Sequence, residues 1–100
     1  MQTPMGYEFT TTLVQDFQIA SVFGEEAVRT TYQEVFNAWK HDIVWMTEMY
    51  IALNWEIWRL YESGNKELAF VYNELWDKLG AYVYENFEDD DLRFFFEVTD

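Results

Sequence analysis

The chain has no cysteine, one proline, four glycines, one histidine and only six basic residues against 19 acids. Without cysteine there is no disulfide frame, no thiolate zinc site and no cysteine nucleophile, and thiol usage says nothing about the redox compartment. No run of about 18 uncharged apolar residues occurs, so no membrane-spanning helix is expected. Residues 1–6 have neither the basic start nor the apolar stretch of a secretory leader, and the chain reads as soluble and cytoplasmic. A formal charge of −13 repels polyanions and excludes nucleic acid as a direct ligand.

What is present points to a folded domain. Half of the residues are apolar and 21% are aromatic, whereas disordered acidic chains lack aromatics. A chain of 100 residues hides roughly 65% of the surface its unfolded form exposes, enough for one core and no second domain. The expectation is a single domain over residues 1–100, with 1–9 as an arm.

Scarce punctuation favours a few long helices. In the arm, Tyr7, Phe9 and Thr11 alternate with polar neighbours and suggest a short extended stretch. Leu13, Phe17, Ala20 and Phe23 then follow helical spacing and predict a first helix over 12–23, closed by Gly24. Glu25 and Glu26 suit the positive end of the next helix, whose buried side reads Val28, Tyr32, Val35, Phe36 and Trp39. The same rhythm continues without loss of phase through Ile43, Met46, Tyr50, Leu53, Ile57 and Leu60. One helix over 25–61 would be roughly 55 Å long, too long for a domain whose radius of gyration is near 13 Å, so a bend is placed at 40–42. Ser63, Gly64 and Asn65 form the clearest turn. A fourth helix over 66–87 buries Leu68, Val71, Tyr72, Leu75, Leu79, Tyr82 and Val83, with Gly80 allowing close approach. Residues 92–99 read as a last short helix capped by Asp89 or Asp90, although Phe94, Phe95 and Phe96 suit a strand equally well. The fold class is therefore all-α, a compact bundle of four to five helices ending in a short one.

Catalytic chemistry finds little support. A carboxylate-bridged di-metal bundle needs a histidine three residues after a glutamate, and nothing of that kind precedes His41; a turn hydrogen bond or cap involving Asp42 fits better. Glu88, Asp89, Asp90 and Asp91 are clustered oxygen donors without the alternating ligands, glycine and terminal glutamate of a calcium loop. No phosphate loop, nucleophile elbow or Ser/His/Asp set can be assembled. The expectation is a non-enzyme with no metal and no cofactor. Asn54, on an apolar helix segment, is expected to make a buried hydrogen bond that fixes register.

Two features carry function. On a helical wheel Glu67, Glu74, Asp77, Glu85 and Glu88 fall within roughly 80° of one another, a rail about 31 Å long. A DNA strand carries a phosphate about every 3.4 Å, so one helix is too dilute to imitate it. Glu48, Glu56 and Glu62, with Asp89, Asp90, Asp91, Glu97 and Asp100, would have to complete the pattern. The ordinary alternative is a solvated acidic exterior that serves solubility. The second feature is the aromatics: Trp45, Trp55, Trp58, Trp76, Phe94 and Phe95 cannot all point inward, and rings outside the core anchor interfaces. They mark either a homodimer seam or a docking patch for a foreign target.

Several short stretches add a resemblance: Asp16-Phe17, Ile19-Ala20, Phe23-Gly24, Thr31-Tyr32, Phe36-Asn37, Trp39-Lys40, Leu53-Asn54-Trp55, Ile57-Trp58, Tyr61-Glu62, the run from Val71 to Trp76, and Val98-Thr99-Asp100. With these the chain resembles small acidic proteins of bacterial mobile elements and phages. They are packing residues, so no site is carried over. What the resemblance implies is a setting in the bacterial host cytoplasm, among anti-CRISPR and antirestriction-like inhibitors, some of which occupy the DNA-binding surface of a nuclease. The expected function is inhibition of a nucleic-acid-targeting defence complex, a CRISPR effector or restriction enzyme, by acidic DNA mimicry of its basic channel. The acidic contacts would be Glu67, Glu74, Asp77, Glu85, Glu88, Asp89, Asp90 and Asp91, and the aromatic contacts Trp45, Trp58, Phe94 and Phe95. The alternative is a non-catalytic accessory protein of a mobile element that homodimerises through exposed aromatics.

Overall fold

Every junction between helices is set by one or two residues that end one helix and start the next. The computed structural model describes residues 7–99, with side chains over 12–99. The described part is five helices and no strand: α1 (Tyr7–Phe23), α2 (Glu25–Trp39), α3 (Ile43–Glu62), α4 (Lys66–Asn86) and α5 (Asp89–Thr99). The all-α bundle with a short C-terminal helix is thus the architecture.

Gly24, at φ 109°, turns the chain between α1 and α2, a conformation that side-chain-bearing residues rarely adopt. The Asp42 side chain accepts from the backbone N–H groups of Val44 at 2.9 Å and Trp45 at 3.3 Å, which caps α3 and makes the bend a true break. Gly64 takes a left-handed φ of 84°. The Asn65 N–H then donates to the Leu60 carbonyl and that of Gly64 to Tyr61, the paired bonds of a Schellman end. Asn65 also caps α4 through the Leu68 N–H.

Two boundaries differ from the sequence reading by more than one residue. Residues 1–6 lie outside the described residues, but Tyr7 to Phe9, expected in the arm, already belong to α1, since no breaker separates Tyr7 from Phe23. The extended stretch at Tyr7, Phe9 and Thr11 is helix. At the other end α5 begins at Asp89, not Leu92; the Leu92 N–H donates to the Glu88 carbonyl, so the three aspartates occupy the first turn, where they favour the helix dipole. Phe94 to Phe96 are therefore helical.

α3 is the central element, packed by α1 and α4, with α5 on a third side; α1 lies on α2, and α2 reaches α4. Ten of its 20 residues are buried, too many for one stripe, and this explains why Thr47, Glu48 and Glu56 are inside as well. Phe17 packs edge-on against Tyr72 at 5.8 Å, and Tyr50 stacks on Trp76 at 4.6 Å while Phe95 meets it edge-on at 4.9 Å. Gly80 lets that ring in: a Cβ there would lie 3.2 Å from Tyr50 Cε1. Phe23, expected on the buried stripe of α1, is 78% exposed. Two successive three-residue steps carry it about 60° past Ala20 and about 120° from Phe17, towards solvent. The Cα radius of gyration is 12.8 Å.

Candidate acidic docking surface

The acidic residues of α4 divide into two environments. Glu67 and Glu74 share a shallow depression with Glu25, Arg29 and Lys66. Arg29 donates to Glu25 at 3.0 Å and lies 3.6 Å from Glu74, so three acids there meet two bases and little net charge is left. Asp77 and Glu85, further along the helix, are exposed and form no salt bridge among the described residues.

The rail does not reach Glu88. α4 ends at Asn86, and Phe87 is extended at φ −116° and ψ 153°, which takes Glu88 off the helical wheel and onto the α4–α5 corner. That corner is where the charge gathers. Glu88, Asp89 and Asp90 line a depression with no base in its wall among the described residues. All three are exposed, Asp91 is half-buried, and Glu85 stands one turn back. Asp89, Asp90 and Asp91 are tied to the α5 N-terminus, each worth about 0.3–1 kcal/mol to that helix.

α3 does not complete the rail. Glu48 and Glu56, expected to add to the outer charge, are fully buried, because α3 is covered on three sides. Glu56 Oε1 and Oε2 accept from Arg59 Nε at 2.5 Å and Nη2 at 2.7 Å, and Oε2 accepts from Ser21 Oγ at 3.0 Å. The Tyr72 hydroxyl lies 2.7 Å from Ser21 Oγ and 2.7 Å from the Phe17 carbonyl. Each hydroxyl has one proton: with Tyr72 donating to the Phe17 carbonyl, the Ser21 proton has Glu56 Oε2, the Tyr72 oxygen and the Phe17 carbonyl within reach as acceptors. The hydrogen bonds it donates to Glu56 hold the Arg59 guanidinium above its ordinary pKa, and burial pushes the Tyr72 phenol up. This network ties α1, α3 and α4 together. Asn54, expected to fix register, is half-buried and makes no hydrogen bond among the described residues; Glu56 occupies that role.

The aromatic predictions need correction too. Trp58 is 61% exposed, but Phe95 is 4% exposed and is the anchor of α5 on Tyr50. Trp45 is half-buried and stacked on Trp39 at 4.0 Å, and Phe94 is half-buried. Periodicity alone points those three outward, because a helix of unknown neighbours shows no second buried face. The exposed rings on α4 are Phe70 and Tyr84, 62% and 66% exposed. They sit seven residues to either side of Asp77, on the rail's own face. A wheel of all α4 residues, instead of its acids alone, reveals them.

The remaining perturbed phenols are structural. Burial raises Tyr32 to about 12, and burial followed by the negative charge of Asp77 raises Tyr50. Among the described residues no three or more His, Cys, Asp or Glu gather as a metal ion would require, and no helix is long and apolar enough to cross a membrane. No protein-family model, curated protein or solved structure matches this chain.

Proposed function

We propose that this protein inhibits a bacterial nucleic-acid-targeting defence complex, a CRISPR effector or restriction enzyme, by laying carboxylates on its basic channel. The observation that carries the reading is the α4–α5 corner, where Glu88, Asp89 and Asp90 line one depression with no base in its wall among the described residues, flanked in sequence by Glu85 and Asp91, with Arg93 one turn along α5. Lysines and arginines that hold phosphates would meet those carboxylates, with Asp77 extending the line along α4. Phe70 and Tyr84 on the same face supply apolar area that salt does not screen. The resemblance to small acidic proteins of mobile elements supports the same setting in the host cytoplasm.

The test is binding to a purified target nuclease, captured from host lysate at low salt, with DNA as competitor. Charge reversal at Asp77, Glu85 and Glu88 is expected to abolish inhibition while leaving the fold intact, since none of the three is in a salt bridge among the described residues. Reversal at Glu67 and Glu74, in the neutralised depression, is expected to cost much less. Equal inhibition by wild type and the Asp77/Glu85/Glu88 variant removes the mechanism. A second reading, an accessory protein that homodimerises through aromatics, is favoured by Phe70 and Tyr84 standing exposed on one helix; a dimer on sizing chromatography that dissociates on Tyr84→Ser selects it.

A further inference from the structure

The face of α4 opposite the core carries a pattern of its own. Phe70, Glu74, Asp77, Ala81 and Tyr84 follow one another at steps of four, three, four and three residues, and all five are exposed. That alternation is the spacing by which one helix packs along another, and it runs for about 21 Å of axis. Leu68, Leu75 and Leu79, across the helical wheel from it, are buried, so the outer line is a second contact face on a helix whose first is already filled. Aromatic rings stand at its two ends, and the small side chain of Ala81 leaves room between Asp77 and Tyr84. The middle is acidic. Glu74 lies 3.6 Å from Arg29 and is partly neutralised, whereas Asp77 forms no salt bridge among the described residues. Lys78, beside Asp77 in sequence, has its Nζ over the Tyr32 ring of α2, 5.8 Å from the centroid. Glu85, also outside any salt bridge among the described residues, flanks Tyr84 at the position from which charges reach across to a neighbouring helix.

We propose that this outer line of α4 docks a single helix of the target protein, one that sets a lysine or arginine against Asp77 and a large apolar side chain seven residues to either side, against Phe70 and Tyr84. The spacing selects a helix, and the unpaired acid at its centre selects the basic residue. A second copy of this chain is disfavoured by symmetry. Asp77 lies midway between Phe70 and Tyr84, so two copies in register put Asp77 against Asp77 whether they run parallel or antiparallel, and like charges facing across a contact repel. A nucleic-acid strand is repelled by the net charge of −13. The inference deepens the inhibitor reading and rests on its α4 surface, naming the element by which the target is held there.

The experiment titrates labelled synthetic helices of about three heptads with the full-length chain in physiological salt and reads fluorescence anisotropy. One helix has lysine at its centre and leucine seven residues to either side. A second replaces that lysine with glutamate, and a third keeps the composition and net charge of the first but scatters its leucines around the helix. The first is expected to bind, and the other two about tenfold or more weaker, the loss typical of a charge-assisted hydrogen bond. Asp77→Lys, at an exposed site, should reverse the preference between the first two with an unchanged melting temperature, and Phe70→Ser should weaken the first. Equal binding of the scattered helix means attraction by bulk charge alone and overturns the proposal, as does a preference that Asp77→Lys leaves unchanged. A Tyr84→Ser-sensitive dimer in sedimentation overturns it in favour of self-association. If no helix binds while charge reversal at Asp77, Glu85 and Glu88 still abolishes inhibition, the docking element is wrong and the inhibitor reading stands; helix binding with inhibition untouched by that variant removes the inhibitor reading instead.

Discussion

Replacing Arg59 with methionine removes the cation from a carboxylate that has no access to water. Breaking a buried ion pair from one side costs about 3–5 kcal/mol. Solvent already screens the 44% exposed arginine, which lowers the expectation to about 2 kcal/mol. In urea, at a slope of about 1 kcal/mol/M for a small domain, the midpoint falls by about 2 M. Tryptophan fluorescence follows the transition, with five indoles reporting. Glu56→Leu alone leaves Arg59 free to hydrate and costs about 1 kcal/mol of lost hydrogen bonds; Ser21 Oγ keeps the Phe17 carbonyl 2.9 Å away as its acceptor. The double variant should then be no worse than Glu56→Leu, because no buried charge is stranded. An Arg59→Met cost below about 0.5 kcal/mol, or a double variant equal to the sum of the singles, refutes a coupled pair holding α1, α3 and α4 together.

Three further outcomes test the packing. Gly80→Ala gains about 1 kcal/mol of helix propensity, yet the Tyr50 ring in its path is held by Trp76 and Phe95. Overpacking of about 1–3 kcal/mol should therefore win, and a raised melting temperature would show that the ring yields. The Tyr32 hydroxyl is buried without a hydrogen-bond partner among the described residues, so Tyr32→Phe should be neutral or stabilising by up to about 1 kcal/mol. Because the folded-state pKa of Tyr32 is raised from 10.0 to about 12, its contribution is complete below pH 10 and is lost as pH climbs towards 12. That loss, on the order of 2 kcal/mol, should be missing from the stability–pH profile of the phenylalanine variant. Asp42→Ala removes both cap bonds of α3 and should cost about 1 kcal/mol by urea unfolding; no change would mean that the bend at 40–42 is held by packing alone.

Local chemistry was readable along the chain. Gly64 with Asn65, Asp42 before Ile43, and the three-and-four rhythm of Leu53, Ile57 and Leu60 each act within a few residues, so helix number and most boundaries follow from them. Even there, the periodicity of α1 misplaces Phe23, because a stripe defined by three residues leaves its own edge undetermined. Exposure on α5 was not readable: Phe94, Phe95 and Phe96 differ in surroundings only because Phe95 meets Tyr50, a partner 45 residues away.

By itself the sequence determined that the chain is built of helices, that they break at Gly24, at 40–42 and at 63–65, and that the net charge is −13; caps, glycines and composition are local or additive. The tertiary structure decided which charges face solvent. Enclosing α3 on three sides turned Glu48 and Glu56 inward, Arg29 and Lys66 neutralised one half of the α4 rail, and the break at Phe87 moved Glu88 to the corner with Asp89 and Asp90. Burial and pairing depend on neighbours far apart in sequence, and a helical wheel contains no information about them.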